Sequence, residues 1–385
     1  MTEKEQSRDK GINRRSFARL LAVGGPAILL THANLALPSK MVRFETRGDP
    51  FSRGKQQGDA FRQMFHPWIK RLLDEKSKRL GTSSAAELHK NRVKRWRDYT
   101  EAVYPEGIQE CRGIVAGLGV DEGSYFAAHF SPDLPSAPAQ CTVVGLRDPE
   151  GRPLVGKTDD VAQWELGMNV LETTRPEKGY HHLHFHFAGT IWTVAGMNER
   201  GLAMGMNGIP APALDKPGMS SLAALHTILP SCATVAEAIE HIRGLPVNAG
   251  GFSLLLGDAT GALALVEKTA VGTVVVPEQR SGALVHTNGI LDATFARRNP
   301  PQGEPLRTNS QRRYDNVLRQ LEAGGGMEKI LCNRSSRGAI CQRGEDGMYT
   351  DFAAVFAPVE KKFKFWSGRA GLEASETVQV ETIVG

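Results

Sequence analysis

The segment Ala139-Gln140-Cys141-Thr142-Val143-Val144 joins two parts of the chain that differ in composition. Residues 132–138, directly before it, are rich in Pro, Ser and Ala, which is typical of an irregular, exposed stretch. After it, short β-type segments follow one another almost to the end of the chain. The segment therefore marks a boundary between a helical part and a β-rich part, and Cys141 begins the first strand of the second part.

The part before this boundary has the apolar spacing of helices. Between Phe61 and Leu73 the apolar residues recur at intervals of three and four, which predicts an amphipathic helix. Pro67 inside this stretch predicts a kink or a break. Further helices are predicted over about 87–103, from Pro105 to the glycines at 117 and 119, and over about 121–130.

Tight turn signals separate the segments of the second part, such as Pro149-Glu150-Gly151. Strands are predicted at 141–146, 153–158, 168–174, 180–187, 190–196, 200–206, 251–257, 262–267, 271–276, 282–287, 352–358 and 362–367, and helices at about 219–230, 233–243 and 309–323. Strands joined by tight turns pair antiparallel, and these helices come in blocks and do not alternate with the strands. We therefore predict an α+β fold of two antiparallel sheets covered by helices.

Composition and charge exclude several classes of function. Of the 385 residues, 41% are hydrophobic and 23% are charged, a globular balance. The net charge is +5, but residues 1–36 hold six Lys/Arg and only three Asp/Glu, so the rest of the chain is nearly neutral. This gives no electrostatic basis for binding nucleic acid. The phosphate-loop, dinucleotide and serine-elbow motifs are also missing, so we predict no cofactor.

Residues 1–36 have the pattern of an export signal. Arg14 and Arg15 precede an apolar run from Leu20 to Leu30, and small residues follow that run. The arginine pair, with Phe17 two residues after it, resembles a twin-arginine signal, which a receptor reads. We therefore predict that the twin-arginine export machinery carries the protein, already folded, to the periplasm or the cell exterior. The rest of the chain, 37–385, is predicted to be one domain.

The five cysteines are odd in number and form no C-x-x-C pair, so a disulfide framework is not predicted. In an exported protein, a cysteine left over from disulfide pairing is a candidate for a reactive thiol. A free cysteine is most often a small buried hydrophobe, so position alone assigns no role to Cys141.

Further short motifs accompany Cys141 in a fixed order. They are Gly54-Lys55-Gln56-Gln57-Gly58, Gly156-Lys157-Thr158-Asp159-Asp160, Ala195-Gly196-Met197-Asn198-Glu199-Arg200-Gly201-Leu202 with Met206-Asn207-Gly208, Val285-His286-Thr287-Asn288-Gly289, and Ile340-Cys341 before two closing strands. Their order from about residue 42 to 368 resembles that of the acyl-coenzyme A:6-aminopenicillanic acid acyltransferase-like family, peptidase family C45. The resemblance implies the Ntn-hydrolase fold, an αββα four-layer sandwich. It also implies an amide hydrolase or acyltransferase whose partner is a small acylated amine, amino acid or β-lactam.

The resemblance further implies a precursor that cuts itself between Gln140 and Cys141, giving chains 37–140 and 141–385. Cys141 would then be the nucleophile, and its freed α-amine, which titrates at about pH 8, would take the thiol proton. Gln140 departs from the small residue that is frequent before the cysteine in that family.

The same resemblance assigns two more residues. Asn288 matches the family position that donates a side-chain amide to the oxyanion. Asp160 matches the family aspartate near the nucleophile, which would hold the α-amine or orient the substrate. This sequence has Thr158-Asp159 where the family often has Asn-Trp, so Asp159 competes with Asp160 for the role of working carboxylate.

A run of alternating histidines suggests other functions. In Tyr180-His181-His182-Leu183-His184-Phe185-His186-Phe187, a strand would point His182, His184 and His186 to one face. Such a row can bind zinc, which prefers about four ligands, but no further ligand is evident nearby in the sequence. We predict a polar strand face and no metal site. A zinc-dependent hydrolase built on the His181–His186 strand, or a non-catalytic binding protein on the same scaffold, are the alternative functions.

Overall fold

The computed structural model describes residues 41–80, 83–130, 140–209, 211, 214, 216–279, 282–298, 306–335, 338–367 and 375–380. The predicted export signal at 1–36 and the predicted irregular stretch at 132–138 lie outside the described residues. Within the described ranges, no helix combines the length and the apolar character that crossing a membrane requires.

The described strands are β1 (Arg43–Gly48), β2 (Gln140–Arg147), β3 (Pro153–Ala162), β4 (Asn169–Pro176), β5 (His182–Phe187), β6 (Thr193–Asn198), β7 (Ala203–Ile209), β8 (Met219–Ser220), β9 (Val247–Ala249), β10 (Gly251–Gly257), β11 (Leu263–Thr269), β12 (Gly272–Val276), β13 (Leu284–His286), β14 (Met348–Ala357), β15 (Lys362–Ser367) and β16 (Glu376–Gln379). The described α-helices are α1 (Pro50–Leu80), α2 (Ser83–Val103), α3 (Pro105–Leu118), α4 (Glu122–His129), α5 (Ser221–His226), α6 (Ile228–Ser231), α7 (Val235–Gly244), α8 (Ala293–Ala296), α9 (Leu306–Glu322) and α10 (Met327–Leu331).

Two large sheets form the centre of the fold. One has eight strands in the order β1-β4-β5-β6-β7-β10-β11-β12, and the other has six in the order β13-β2-β3-β14-β15-β16. Strand β7 of the larger sheet contacts β2 and β3 of the smaller one, so the sheets face each other. Strands in such a position are covered on both faces, which explains why every residue of β6 and β10 is buried.

Helices cover the outer face of each sheet. On the larger sheet, α1 packs on β1, α5 and α6 pack on β6, and α7 packs on β11. On the smaller sheet, α9 packs on β13 and β2, and α10 packs on β3 and β14. The predicted αββα four-layer sandwich is confirmed.

Glycines allow helices α1 and α3 to pack unusually close together. A Cβ on Gly54 or Gly113 would lie 1.9 or 2.1 Å from a backbone oxygen of the facing helix. Gly58 and Gly117, one turn further along each helix, face backbone oxygens at 2.4 Å in the same way. Helix α3 runs through Gly117 and ends before Gly119. The φ of Gly119 is 68°, in the left-handed region that commonly ends a helix.

The pairing of β1 and the course of α1 differ from the sequence-based expectation. Strand β1 pairs in parallel with β4, so the larger sheet is not purely antiparallel; the connection between these strands, which includes helices α1–α4 and strands β2 and β3, is long enough to permit a parallel pair. Helix α1 continues through Pro67 without a break. An interior proline costs roughly 3 kcal/mol, and burial of Phe65, Trp68 and Leu72 at roughly 2 kcal/mol each offsets that cost.

A buried ion pair lies at the α1–α3 contact. Arg53 Nη2 donates to Glu110 Oε2 over 2.6 Å, and the two side chains are only 9% and 3% exposed. Burial by itself would raise the pKa of Glu110, but the charges of Arg53 and His226 lower that pKa to about 2. The ionised carboxylate therefore stabilises the fold above its ordinary pKa of about 4.5, and this contribution is lost as the pH falls towards 2.

Glu110→Gln is expected to lower the free energy of unfolding by roughly 3–5 kcal/mol at neutral pH, because Arg53 is left buried without its counter-charge. The difference from wild type should shrink below pH 4.5. Urea titrations that give equal m-values measure it. The control is Asp59→Asn, which breaks the exposed Lys55–Asp59 pair and should change stability by at most about 1 kcal/mol. Equal effects of the two substitutions would contradict the prediction.

Candidate active site

The pairing of β2 with β3 fixes which side chains lie beside Cys141. The register places Cys141 opposite Asp159 and Gln140 opposite Asp160. Successive side chains of a strand point to opposite faces of the sheet. Cys141 and Asp159 therefore share the face that meets the larger sheet, and Gln140 and Asp160 share the face that meets α9.

Asp159 accepts three hydrogen bonds on the Cys141 face. Cys141 Sγ donates to Asp159 Oδ1 over 3.3 Å, and Lys157 Nζ donates to the same oxygen over 2.9 Å. Asn169 Nδ2 donates to Asp159 Oδ2 over 2.9 Å and also to Asp351 Oδ2 over 3.0 Å. All of these side chains are buried. The carboxylate is thus positioned to take a proton from the thiol.

The charges of this cluster are set by burial and by the Lys157–Asp159 pair. Burial raises the pKa of the Cys141 thiol to about 12, although Lys157 opposes part of that rise. Burial would also lower the pKa of Lys157, but Asp159 and Cys141 raise it above its usual value. At neutral pH the intact chain therefore holds a thiol beside a lysine cation, so a nucleophilic attack by sulfur needs a proton acceptor.

The end of β13 places Asn288 beside the backbone of Cys141. Strand β13 pairs antiparallel with β2, with His286 opposite Val143, so the residues after the strand lie next to the start of β2. The Cys141 backbone N–H donates to Asn288 Oδ1 over 3.1 Å. Asn288 Nδ2 donates to Gly208 O over 3.0 Å. Of the predicted site residues, the structure thus brings Cys141 and Asn288 into direct contact.

Asp160 lies on the other face of β3, away from the sulfur of Cys141. Its carboxylate accepts hydrogen bonds from Gln342 Nε2 over 2.8 Å and from Thr350 Oγ1 over 2.6 Å. Burial raises the pKa of Asp160 to about 6, although Arg313 opposes part of the rise. Asp159, the competing residue, is the carboxylate that contacts the thiol.

Arg313 on α9 is a site residue that the sequence does not reveal. The side chain is fully buried, and Nη1 donates to the backbone carbonyl of Cys141. Nη2 donates to Gln140 Oε1 over 2.9 Å and to Asn288 Oδ1 over 2.7 Å. Arg313 thus holds both sides of the Gln140–Cys141 bond. In the sequence Arg313 is one of several charged residues of a predicted helix, and its neighbours in the chain do not distinguish it from the charged residues that face solvent.

The histidine row lies in the larger sheet on the face turned away from Cys141. The ring of His184 lies 5.9 Å from that of His226 in α5, on the helix side. Phe185, the next residue, stacks on Phe352 of the smaller sheet with ring centroids 4.3 Å apart. The His181–His186 strand therefore does not contribute histidines to the cysteine site.

Comparison with solved structures and with protein families adds the wider context. A mutant of the conjugated bile acid hydrolase from Clostridium perfringens is similar at 13% identity, with a TM-score of 0.39, over 63% of this chain and 93% of that one. The Caenorhabditis elegans N-acylethanolamine-hydrolyzing acid amidase (NAAA) ortholog is similar at 14% identity, with a TM-score of 0.41, over 57% of this chain and 93% of that one. No curated protein sequence matches.

The family model for acyl-coenzyme A:6-aminopenicillanic acid acyl-transferase matches residues 146–371, which is more than half of the chain. The matched region begins after Cys141 and includes Lys157, Asp159, Asn288 and Arg313. The chain therefore belongs to the acyl-coenzyme A:6-aminopenicillanic acid acyl-transferase family, which indicates an amide hydrolase or acyltransferase.

Proposed function

We propose that this protein is a self-processing amide hydrolase whose nucleophile is Cys141 as an N-terminal residue, and that it acts on a small acylated amine, amino acid or β-lactam. One observation carries the proposal. The thiol of Cys141 lies 3.3 Å from a carboxylate oxygen of Asp159, while its backbone nitrogen lies 3.1 Å from Asn288 Oδ1. Cys141 is thus in contact with a proton acceptor for its sulfur and with a polar partner for its future α-amine.

Self-cleavage requires a base other than the α-amine, because in the intact chain that nitrogen is part of an amide. We assign this role to Asp159. It takes the thiol proton while Sγ attacks the carbonyl carbon of Gln140. The C–N bond then breaks, and the proton passes to the leaving nitrogen of Cys141. Water hydrolyses the resulting thioester, which leaves a carboxylate on Gln140 and returns the thiol.

Arg313 supports this step by holding its reactants. The guanidinium bridges the side chain of Gln140 and the carbonyl of Cys141, which flank the scissile bond. Gln140 is larger than the residue that is frequent at this position in the family, and the hydrogen bond to Arg313 gives that larger side chain a defined place. We therefore propose that Gln140 is compatible with cleavage.

In the mature enzyme the α-amine of Cys141 becomes the base for the thiol, since its ordinary pKa of about 8 suits proton transfer near neutral pH. Sulfur attacks the substrate carbonyl, the C–N bond breaks, and the proton held by the α-amine passes to the leaving amine. Water then hydrolyses the thioester, which releases the acid and returns the thiol. The predicted export signal supports water as the acceptor, because coenzyme A is a cytosolic acyl donor. The Lys157 ammonium, 2.9 Å from Asp159, supplies the counter-charge for that carboxylate beside the amine.

Asn288→Ala is expected to slow self-cleavage by roughly 10–100-fold, because it removes the Asn288 Oδ1 acceptor of Arg313 and a hydrogen bond to a charged group contributes about 1.5–3 kcal/mol. Here the substitution also removes the partner of the Cys141 nitrogen. Cell-free synthesis followed by time-resolved gel analysis measures the rate. Asn316→Ala is the matched control, since this buried asparagine on α9 bonds Asn333 and Gly338 instead of the site. Equal rates for Asn288→Ala and wild type would contradict the proposed role.

The substrate class is tested with the purified, processed protein. Penicillins, N-acyl amino acids and N-acyl amines are each incubated with it, and release of the free amine is measured with water alone and with an added acceptor amine. Release from at least one class by wild type, and from none by Cys141→Ala, would support the proposal. A processed wild-type protein that releases no amine from any class would refute the substrate class while leaving self-cleavage intact.

A further inference from the structure

A second cluster of buried polar groups lies on the helix side of the larger sheet. Glu172 of β4 is the cross-strand partner of His184 in β5, and His186 lies two residues further along. One ligand atom from each of the three residues lies within 4.8 Å of the others. The three side chains are at most 2% exposed. The cluster is separate from the cysteine site, which lies between the sheets.

Hydrogen bonds fix the free positions of this cluster. Nδ1 of His186 lies 2.9 Å from the carbonyl of Phe187, so this nitrogen carries the hydrogen of the neutral ring. Nε2 of His186 then presents a lone pair to Glu172 Oε2, only 2.9 Å away. Two acceptors at this distance repel each other unless a positive charge lies between them.

The carboxylate of Glu172 is divided between two kinds of partner. Its Oε1 accepts hydrogen bonds from the hydroxyls of Thr46 and Thr174. Its Oε2 faces the histidines, with His186 Nε2 at 2.9 Å and His184 Nε2 at 3.7 Å. The hydroxyl donors therefore satisfy one oxygen and leave the other directed at the two imidazoles.

Among the described residues, two buried atoms at this place find no hydrogen-bond partner, namely His186 Nε2 and Gln57 Oε1. The Gln57 side chain reaches the cluster from α1, with Nε2 3.4 Å from Glu172 Oε2. Rotating the terminal amide by half a turn exchanges its nitrogen and oxygen and turns an oxygen donor towards the same point. An unpartnered imidazole nitrogen and, in the rotated amide, the oxygen of Gln57 thus converge on the buried carboxylate.

We propose that Glu172, His184 and His186 bind a zinc ion, with the amide oxygen of Gln57 as the fourth ligand. Two imidazole nitrogens and carboxylate or amide oxygens are a donor set that zinc accepts in tetrahedral sites. The second nitrogen of each histidine is already held, His184 Nδ1 by Thr193 Oγ1 at 3.0 Å and His186 Nδ1 by Phe187 O. His184 Nε2 lies 3.2 Å from Thr174 Oγ1, a hydrogen bond that the ion would replace. Such outer contacts orient metal-bound histidines.

This zinc ion would be structural. The ligands are closed off from solvent, whereas a catalytic zinc keeps one position open for water or substrate. The ion would join α1 to β4 and β5. The Arg53–Glu110 pair joins the same helix, α1, to α3. The sequence predicts no metal here because the missing carboxylate lies on the neighbouring strand and is next to His184 only through the sheet pairing.

The site is tested on protein without a histidine tag and with Cys141→Ser, so that neither a tag nor the thiol binds metal. We expect plasma mass spectrometry to find one zinc per chain after extensive dialysis. Protein stripped of metal in denaturant and refolded with Co²⁺ should show the visible absorption of a tetrahedral cobalt site. Refolding with zinc should also raise the urea midpoint relative to refolding with a chelator.

Variants locate the ion. His186→Gln should lose the bound zinc and the cobalt absorption, and His182→Gln, on the same strand, should keep both. His182 is a fair control because it is equally buried and its Nδ1 bonds the carbonyl of Tyr180. Substoichiometric zinc in the parent protein together with no cobalt absorption would overturn the proposal, and a protonated His186 paired with Glu172 would then explain the 2.9 Å contact. Full zinc content in a folded His186→Gln would also overturn it. If His186→Gln does not fold, the metal content and cobalt spectrum of the parent protein decide the question.

Discussion

Replacing Cys141 by alanine is expected to leave the chain uncut and to abolish amide hydrolysis. In wild type, intact mass and N-terminal sequencing should show two chains, the larger of which begins at Cys141. In Cys141→Ala one chain should remain, because the sulfur that contacts Asp159 is gone. Loss of a nucleophile in other hydrolases reduces kcat by roughly 10⁶.

Cys111→Ala is the control for this substitution. Cys111 is also a buried thiol with a nearby polar group, since its Sγ lies 3.6 Å from His129 Nε2. Burial raises its pKa well above the usual range, and it lies in helix α3 away from the chain junction, so we expect normal cleavage in this variant. A wild-type chain that stays uncut would favour the non-catalytic binding protein. A Cys141→Ala chain cut at the same bond would point to an external protease.

Exchanging each of two adjacent aspartates for asparagine is expected to separate their roles. Asp159→Asn should slow self-cleavage by roughly 10²–10⁴-fold, the usual contribution of a general base, because the amide cannot take the thiol proton. Asp160→Asn should cleave at close to the wild-type rate, since its carboxylate bonds Gln342 and Thr350 on the opposite face. The rates are compared by the same cell-free assay, at a pH above the Asp160 pKa of about 6.

The two aspartates are matched controls for each other because both are buried and lie in the same strand. The urea midpoint of each variant shows whether a slow rate reflects loss of fold. If Asp160→Asn stops cleavage and Asp159→Asn does not, the working carboxylate is Asp160, as the family resemblance implies, and the proton acceptor proposed here is wrong. If both cleave normally, neither carboxylate acts as the base.

The sequence by itself determined the class of fold and the position of the boundary between the helical part and the β-rich part, just before Cys141. Period-two and helical spacing located most of the strands and helices, because these patterns depend on residues that are close in the chain. Strand β1 was not predicted from the sequence, because it is a single short segment before a long helix. Its only strand partner in the described sheets, β4, is more than a hundred residues away in the chain. The glycine motif at 54–58 was visible in the sequence, but its use in a close helix contact was not.

Only the tertiary structure decided which side chains meet. The order of motifs pointed to Cys141 and Asn288, and strand pairing placed them in contact. The choice between Asp159 and Asp160 depended on register, because a shift of one residue moves a side chain to the other face of the sheet. Arg313 and Glu172 reach their partners through packing and cross-strand pairing, across distances in the chain that local spacing does not encode.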